Sequence, residues 1–216
     1  MAALVVCVTA ALAACGATRP LGRGHEELNA GSHVLDLARK RSSERGQLPE
    51  IQITLPSGWF NYDGWAISKG REATTVFLTF WDVDRVYSTP CKWKYKPLVD
   101  PGRRVSDLAS ALARQPLRAP TKPTEVVVGG YRGEYLEWSV PTDIDFEDCD
   151  EGVFESWTGR AWASDRYQQA PGQVDRIWIL DVRGTRLVVD ASYLPEATDH
   201  DRAELETVVK SIRFFY

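Results

Sequence analysis

The stretch DRIWILDV (Asp175–Val182), with the run Thr185–Tyr193 that follows it, decides the fold of this chain. Arg183-Gly184 separates the two runs and is typical of the tight turn of a β-hairpin. Apolar residues occupy every position from Ile177 to Leu180, so they point to both faces of the predicted strand. We therefore expect this hairpin to lie inside a sheet that is covered on both sides.

Further strands are predicted upstream of this hairpin. Gly129-Gly130 is a second hairpin turn, with Glu125–Val128 before it and Arg132–Val140 after it. Alternating apolar residues and runs of β-branched and aromatic residues predict three more strands. These are Ile51–Leu55, Trp65–Ser68 and Thr74–Trp81.

Two helices accompany the strands. Ser106 is a typical N-cap, and the apolar spacing after it predicts a helix over about 107–114, before Pro116. Thr198–Asp201 resembles a capping box, and an apolar stripe at helical spacing runs from Leu205 to Ile212. Strands, a helix, two hairpins and a terminal helix favour an α+β fold in which helices flank an antiparallel sheet.

The N-terminal run MAALVVCVTAALAACG carries no charge and ends in small residues followed by Cys15-Gly16. It is shorter than the ~20 residues of a membrane-spanning helix, which is typical of a signal segment. The run resembles the signal peptide of bacterial lipoproteins. That resemblance implies a signal peptide over 1–14, lipidation of Cys15, and a protein anchored by lipid to the extracytoplasmic face of the cell membrane. The alternative is a short buried N-terminal element with an incidental Cys.

The rest of the chain divides into a linker and one domain. Residues 15–47 are rich in Gly, Ser, Arg and Glu without a sustained apolar period, which predicts a flexible tether behind the lipidated Cys. Within the tether only Val34–Arg41 has a pattern that would support one or two helical turns. A single α+β domain is expected over 48–216.

Two cysteines, Cys91 and Cys149, lie in that domain. An even pair in an exported protein predicts a disulfide bond. Two buried free thiols, or half of a metal site, are the alternatives.

Local strings add two resemblances. The order of elements, the Gly130–Gly133 hairpin and the terminal Ser211–Phe214 resemble the PsbP-like family of α/β/α sandwiches. Pro171–Asp175, Trp178–Asp181 and Cys149-Asp150 resemble exported actinobacterial lipoproteins of unassigned function. The PsbP-like resemblance implies a sandwich fold and binding to partner proteins rather than catalysis.

The segment Asp143–Glu155 carries seven carboxylates and no basic residue. Crowded carboxylate oxygens suit calcium, although Asp148 stands where the EF-hand loop requires Gly. A solvated loop held by the disulfide, or a docking surface for a basic partner, are the alternatives. The candidate metal ligands are Asp143, Asp145, Glu147 and Asp150.

Eight tryptophans are present, and those in predicted strands belong to the core. Other aromatic residues lie in segments that the disulfide would draw together, where they would form a concave platform for a sugar ring or an apolar ligand. A structural cluster over one sheet face is the alternative. The candidate ligand-binding residues are Trp93, Tyr95, Trp157, Trp162 and Tyr167.

Motifs for catalysis and for nucleic-acid binding are missing. The sequence has no Gly-x-Ser-x-Gly elbow, Walker loop, His-Glu-x-x-His helix or Cys-x-x-Cys pair. No catalytic residue is assigned, and the remaining catalytic hypothesis is glycoside hydrolysis by a carboxylate pair such as Asp143 with Glu155. The formal net charge of −4 gives no electrostatic footprint for DNA or RNA.

These observations predict a membrane-tethered extracytoplasmic lipoprotein that acts as a binding or accessory module for a protein or envelope component. The alternative is a sensor domain for a small ligand or calcium. A hydrolase of envelope polysaccharide is a third hypothesis.

Overall fold

The computed structural model describes Leu21 and residues 24–37, 49–160 and 165–215. The predicted lipidation site Cys15 and the candidate ligand residue Trp162 lie outside these ranges. Within them, no helix is long and apolar enough to cross a membrane.

The described strands form three antiparallel sheets, accompanied by two α-helices. The central sheet has eight strands in the order β1-β4-β5-β6-β14-β13-β10-β9, and two smaller sheets have the orders β12-β11-β7-β8 and β15-β3-β2. The helices are α1 (Val105–Leu112) and α2 (Asp199–Lys210). The strands are β1 (His25–Leu28), β2 (Gly31–Asp36), β3 (Glu50–Leu55), β4 (Trp59–Tyr62), β5 (Ala66–Lys69), β6 (Val76–Trp81), β7 (Val83–Tyr87), β8 (Leu98–Val99), β9 (Thr124–Val128), β10 (Tyr131–Ser139), β11 (Glu155–Gly159), β12 (Arg166–Tyr167), β13 (Val174–Val182), β14 (Thr185–Tyr193) and β15 (Arg213–Phe215).

The β13–β14 hairpin lies inside the central sheet, as its sequence predicts. Ile177 and Ile179 are fully buried in one core with the apolar residues of α1. Leu180 and Val182 are fully buried in a second core that includes Leu205 of α2. Because alternate residues of a strand point to opposite faces, the two helices cover opposite faces of this hairpin. The α+β class predicted from the sequence is confirmed.

The two helices lie where the apolar stripes predict them, with one correction at a helix start. Thr198 caps α2 as predicted, because its Oγ1 accepts a hydrogen bond from the Asp201 N–H at 3.1 Å. Ser106, however, lies inside α1, whose N-cap is Arg104. The prediction was two residues late because the Asp107 carboxylate accepts from the Arg104 N–H at 3.0 Å and so caps the helix from within.

The predicted tether is wrong for residues 25–36, which form β1 and β2. β1 pairs with β4, and β2 pairs with β3. Leu28 and Leu35 are buried in the core beneath α2. Predicted helical turns are likewise wrong for Val34–Asp36, which continue β2. Each of these short strands offers few apolar side chains, so pairing with distant strands, invisible in the local sequence, decides their conformation.

The predicted disulfide between Cys91 and Cys149 is present and spans 58 residues. It joins the segment after β7 to the acidic segment Asp143–Glu155, and the Asp150 N–H donates to the Cys91 carbonyl at 2.8 Å. Both cysteines are buried with Val140 and Phe154 in a small separate core.

Candidate functional site

A cavity of about 370 Å³ lies between the central sheet and β12. We call it the aromatic cavity because five of its described lining residues are aromatic. Strands β4, β5, β6 and β14 supply one side, and Asp165–Tyr167 with Gln169 supplies the other. The described lining residues are Tyr62, Trp65, Ala66, Ile67, Phe77, Thr79, Trp81, Asp165, Arg166, Tyr167, Gln169 and Ser192.

The aromatic walls are placed by ring packing. The Trp65 and Trp81 rings meet edge to face with centroids 5.2 Å apart, and Trp81 continues in the same way onto the buried Trp157 at 5.8 Å. The Trp81 indole N–H donates to Thr79 Oγ1 at 2.8 Å, which fixes its ring plane. Tyr167 stays half exposed at 50%. Tyr62, also in the lining, is 41% exposed, so the walls combine the buried Trp81 ring with the accessible rings of Tyr62 and Tyr167.

The floor is organised by Arg166, which is buried and fully engaged within the chain. Its Nε donates to Asp190 Oδ2 at 2.8 Å, and its Nη2 donates to Asp175 Oδ1 at 3.0 Å and to Ser192 Oγ at 3.3 Å. Its Nη1 donates to the Tyr167 carbonyl. Burial by itself lowers the pKa of Arg166, but Asp190 and Asp175 outweigh that effect and the net shift is upward.

The two carboxylates beneath Arg166 are satisfied unequally. Asp175 also accepts from the Trp138 indole N–H at 2.6 Å and from Gln173 Nε2 at 2.7 Å. Asp190 Oδ1 is buried without a hydrogen-bond partner. Burial and the nearby Asp175 raise the pKa of Asp190 against the opposing effect of Arg166. Of the two carboxylates, Asp190 therefore accepts the fewer hydrogen bonds.

A second cation, the partly buried Arg118, lies close enough to Asp175 for the two charges to interact. Its guanidinium is 4.3 Å from the Trp138 ring centroid and 4.6 Å from that of Phe154, and it donates to Ser156 Oγ at 2.6 Å. Burial lowers the pKa of Arg118 to about 9, still well above neutral. Two arginines therefore balance two aspartates inside the protein, which removes the cost of an isolated buried charge.

Glu155 is a further titratable group at the edge of this polar network. It is buried in β11, and its Oε2 has no hydrogen-bond partner. Burial, reinforced by the nearby Asp165, raises the pKa of Glu155 to about 7 against the opposing effect of Arg166. Asp165 in turn accepts from the Tyr87 hydroxyl at 2.7 Å.

The aromatic cavity therefore joins apolar rings to a polar floor in which Arg166 is already paired with Asp175 and Asp190, while the Asp165 carboxylate in the lining accepts from the Tyr87 hydroxyl. The hydrogen bonds that Arg166 donates all end on acceptors within the chain, so the floor offers no spare cation to an anionic ligand. The Ser192 hydroxyl accepts from Arg166 and keeps its own proton for donation. This arrangement favours a small neutral ligand with hydroxyl groups.

The described residues of the predicted aromatic platform lie in different surroundings and do not form one surface. Tyr167 lines the aromatic cavity, whereas Trp157 is fully buried between Trp81 and Trp138. The Trp93 indole N–H donates to the Val153 carbonyl at 3.0 Å. Tyr95 is 95% exposed.

The acidic segment uses its carboxylates for local contacts. Asp145 accepts from the Glu147 N–H at 2.8 Å, and Asp150 accepts from the Lys94 N–H at 2.7 Å. In the described part of the chain, no three Asp, Glu, His or Cys side chains come together in a way that could hold a metal ion. The proposed hydrolytic pair also lies in unlike surroundings, since Glu155 is buried and Asp143 is exposed.

Sequence patterns did not predict the residues that build the floor of the aromatic cavity. One signal was available, since Asp190 interrupts the apolar run of β14 and a charge in a strand covered on both sides needs a partner. That partner, Arg166, lies 24 residues earlier in the two-residue strand β12. No sequence pattern around Arg166 indicates that it is buried.

No protein family model and no curated protein sequence matches this chain. Several solved structures are similar to it, among them the following two. One is LpqN, involved in cell envelope biogenesis of Mycobacterium tuberculosis, with 8% identity, a TM-score of 0.40, and coverage of 89% of this chain and 91% of that chain. The other is cyanobacterial PsbP (CyanoP) from Synechocystis sp. PCC 6803, with 15% identity, a TM-score of 0.33, and coverage of 94% and 99%. With likenesses of this extent, the fold assignment rests on the strand order and cores described above.

Proposed function

We propose that this chain is an exported, lipid-anchored binding module, and that its aromatic cavity binds a small neutral ligand with hydroxyl groups, such as a sugar ring. The observation that carries the proposal is the meeting of aromatic walls with a polar floor whose cation, Arg166, is already paired within the chain. The apolar face of a sugar ring packs on aromatic rings while its hydroxyl groups exchange hydrogen bonds with polar side chains.

The size and charge of the cavity restrict the ligand. Its volume of about 370 Å³ is near the lower end of the roughly 300–1,000 Å³ typical of ligand sites. A polymer would therefore place one or two units in it at a time. Because Arg166 is saturated by Asp175 and Asp190, a phosphate or carboxylate would have to break internal ion pairs in order to bind.

Export and anchoring are supported by two independent features of the sequence. The N-terminal run that resembles a lipoprotein signal peptide ends in Cys15-Gly16, and Cys15 would carry the lipid anchor. The Cys91–Cys149 disulfide fits an oxidising, extracytoplasmic compartment. Both are consistent with an accessory role at the envelope.

Ligand titration of matched variants tests the cavity. The full chain in detergent would be titrated with a panel of neutral mono- and disaccharides, followed by thermal melting and tryptophan fluorescence. A ligand at 100 times its Kd stabilises the folded state by ~2.7 kcal/mol, which is a measurable rise in Tm. Tyr167→Ala removes an accessible aromatic ring from the cavity wall and should weaken saccharide binding at least tenfold.

Trp93→Ala is the matched control, because it removes an aromatic ring that lies beside Tyr87, outside the lining of the aromatic cavity. It should leave the affinity unchanged. Equal losses in the two variants, or no Tm shift with any saccharide of the panel, would contradict the proposed site.

A second candidate function is protein docking through the disulfide-linked segments, and Tyr95 is the observation that favours it. Its side chain is 95% exposed and its backbone has φ +60°, a strained conformation for a non-glycine residue. A photo-crosslinking residue at position 95 should capture a protein on intact cells. The same residue at the less exposed Leu98 is the control, and capture at neither position would count against docking here.

A further inference from the structure

The eight-stranded sheet ends at β9, whose outer edge pairs with no strand in the described ranges. The strand reads Thr-Glu-Val-Val-Val, and Val127 is 63% exposed. The opposite edge, β1, carries Glu26 and Glu27, the kind of charged residues that discourage pairing. β9 lacks that protection over its last three residues and is the edge suited to adding a strand.

The β9–β10 turn determines which backbone groups of β9 are available. Val128 pairs with Tyr131 across the two-residue turn Gly129-Gly130, and such a closing pair is hydrogen-bonded. Because hydrogen-bonded positions alternate along a strand, the N–H and C=O groups of Glu125 and Val127 point away from β10. These four groups are the ones that an added strand would bond.

A second copy of β9, running antiparallel, matches these groups about a two-fold axis at Val126. Glu125 of each copy lies opposite Val127 of the other, which gives four backbone hydrogen bonds. Val126 meets its own copy as a non-hydrogen-bonded pair, where Cα atoms are ~4.5 Å apart and side chains are closest. The contact is isologous, so it closes as a dimer.

Charge also favours a second copy. Within one chain Glu125 lies directly opposite Glu134, and Val127 lies opposite Arg132. Like charges directly opposite each other destabilise a sheet. In the paired sheet, the row Glu134–Glu125 continues into Val127 and then Arg132 of the second copy. Glu125 thus gains an uncharged neighbour in place of a second carboxylate, and Arg132 lies one strand further along the same row, about 10 Å from Glu125.

We infer that β9 is a homodimerisation edge and that two copies of this chain join through it into one continuous sheet. The inference rests on the β9 edge alone and is independent of any ligand in the aromatic cavity.

Cysteine crosslinking distinguishes this register from random collision. In the full chain in detergent under mild oxidation, Val126→Cys should form an intermolecular disulfide, because the two-fold axis brings its copies within disulfide reach. Val127→Cys is the matched control, because its copies lie diagonally, ~7–8 Å apart. We expect at least tenfold faster crosslinking of Val126→Cys, even though Val127 is the more exposed residue.

Sedimentation provides the second measurement. The unaltered chain should sediment as a dimer, and Val127→Pro, which removes an outward N–H that makes no bond to β10, should be monomeric. Its Tm should equal that of the unaltered chain diluted until it is monomeric, because association itself raises Tm. Equal or faster crosslinking of Val127→Cys would overturn the register. A monomer at every concentration, with Val126→Cys left reduced, would overturn the dimer and leave the edge to a strand of another protein.

Discussion

At the scale of single residues, the polar network behind the aromatic cavity is a balance of buried charges. Arg166 holds Asp175 and Asp190 on neighbouring strands of the central sheet, and Arg118 supplies the second positive charge. Buried ion pairs add little net stability, but a buried charge left alone is costly. We interpret the network as a device that positions Arg166 and Tyr167 of β12 over the sheet and so shapes the cavity floor.

Loss of Arg166 tests this balance. Arg166→Gln would leave Asp175 and Asp190 without their cation, and we expect a loss of about 3–5 kcal/mol in the free energy of unfolding. The loss should shrink as the pH falls towards 5, because Asp190, whose pKa burial already raises, then becomes protonated and no longer needs the cation. Arg85→Gln is the control, because its side chain is 45% exposed and its ion pairs are worth at most ~1 kcal/mol. Urea denaturation of both variants measures the difference.

Glu155 makes stability depend on pH in the direction opposite to an ordinary salt bridge. Its folded-state pKa of about 7 is above its ordinary value of 4.5, so the folded protein holds this proton more tightly than the unfolded chain does. The contribution of Glu155 is therefore most favourable below pH 4.5 and is lost as the pH rises to about 7.

Glu155→Gln mimics the protonated acid and should remove this dependence. We expect the variant to be more stable than the unaltered protein by about 3 kcal/mol at about pH 8 and nearly equally stable near pH 4.5. Urea denaturation at several pH values measures the difference between the two proteins, in which the other titrating groups cancel. A constant difference across this range would show that Glu155 titrates normally.

At the scale of secondary-structure elements, the sequence predicts what local periodicity specifies. The β13–β14 hairpin and α2 were predictable because their apolar patterns are long and their turn and cap residues are typical. β1 and β12 were not, because they have only four and two residues. β1 pairs with β4, more than 30 residues later in the chain, and β12 pairs with the nearby β11. The cavity floor could not be predicted from the sequence for a similar reason. The Arg166–Asp190 pair forms only when the chain brings β12 next to β14.

The strand β2 provides a direct test of the N-terminal boundary of the domain. Leu35 is fully buried, so Leu35→Ala should cost about 2–5 kcal/mol in the free energy of unfolding. Leu98→Ala, at a position 40% exposed, is the control and should change it by no more than ~0.5 kcal/mol. Chemical denaturation of both variants gives the values. If Leu35→Ala were as stable as the unaltered protein, residues 25–36 would belong to the flexible tether and not to the folded domain.

At the scale of the whole molecule, the early start of the fold changes how the domain would sit at a membrane. Leu21 is buried in the core beneath α2, and its N–H donates to the Val34 carbonyl at 2.7 Å. Leu21 lies six positions after the proposed lipidation site Cys15. An extended chain spans at most ~3.4 Å per residue, so the two residues are at most about 20 Å apart. The tether predicted from the sequence, at ~30 residues, would have a root-mean-square span of ~30 Å.

A lipidated chain should therefore hold its domain against the bilayer. In vesicles with a fluorescent acceptor on the lipid headgroups, energy transfer from the tryptophans of the domain should be efficient. A twenty-residue Gly-Ser insertion after Gly16 should lower that transfer, because it lengthens the reach several-fold, while Cys15→Ser should abolish it along with the anchor. Unchanged transfer after the insertion would mean that contacts other than the short lipid connection keep the domain at the membrane. Unchanged transfer in Cys15→Ser would remove Cys15 as the anchor.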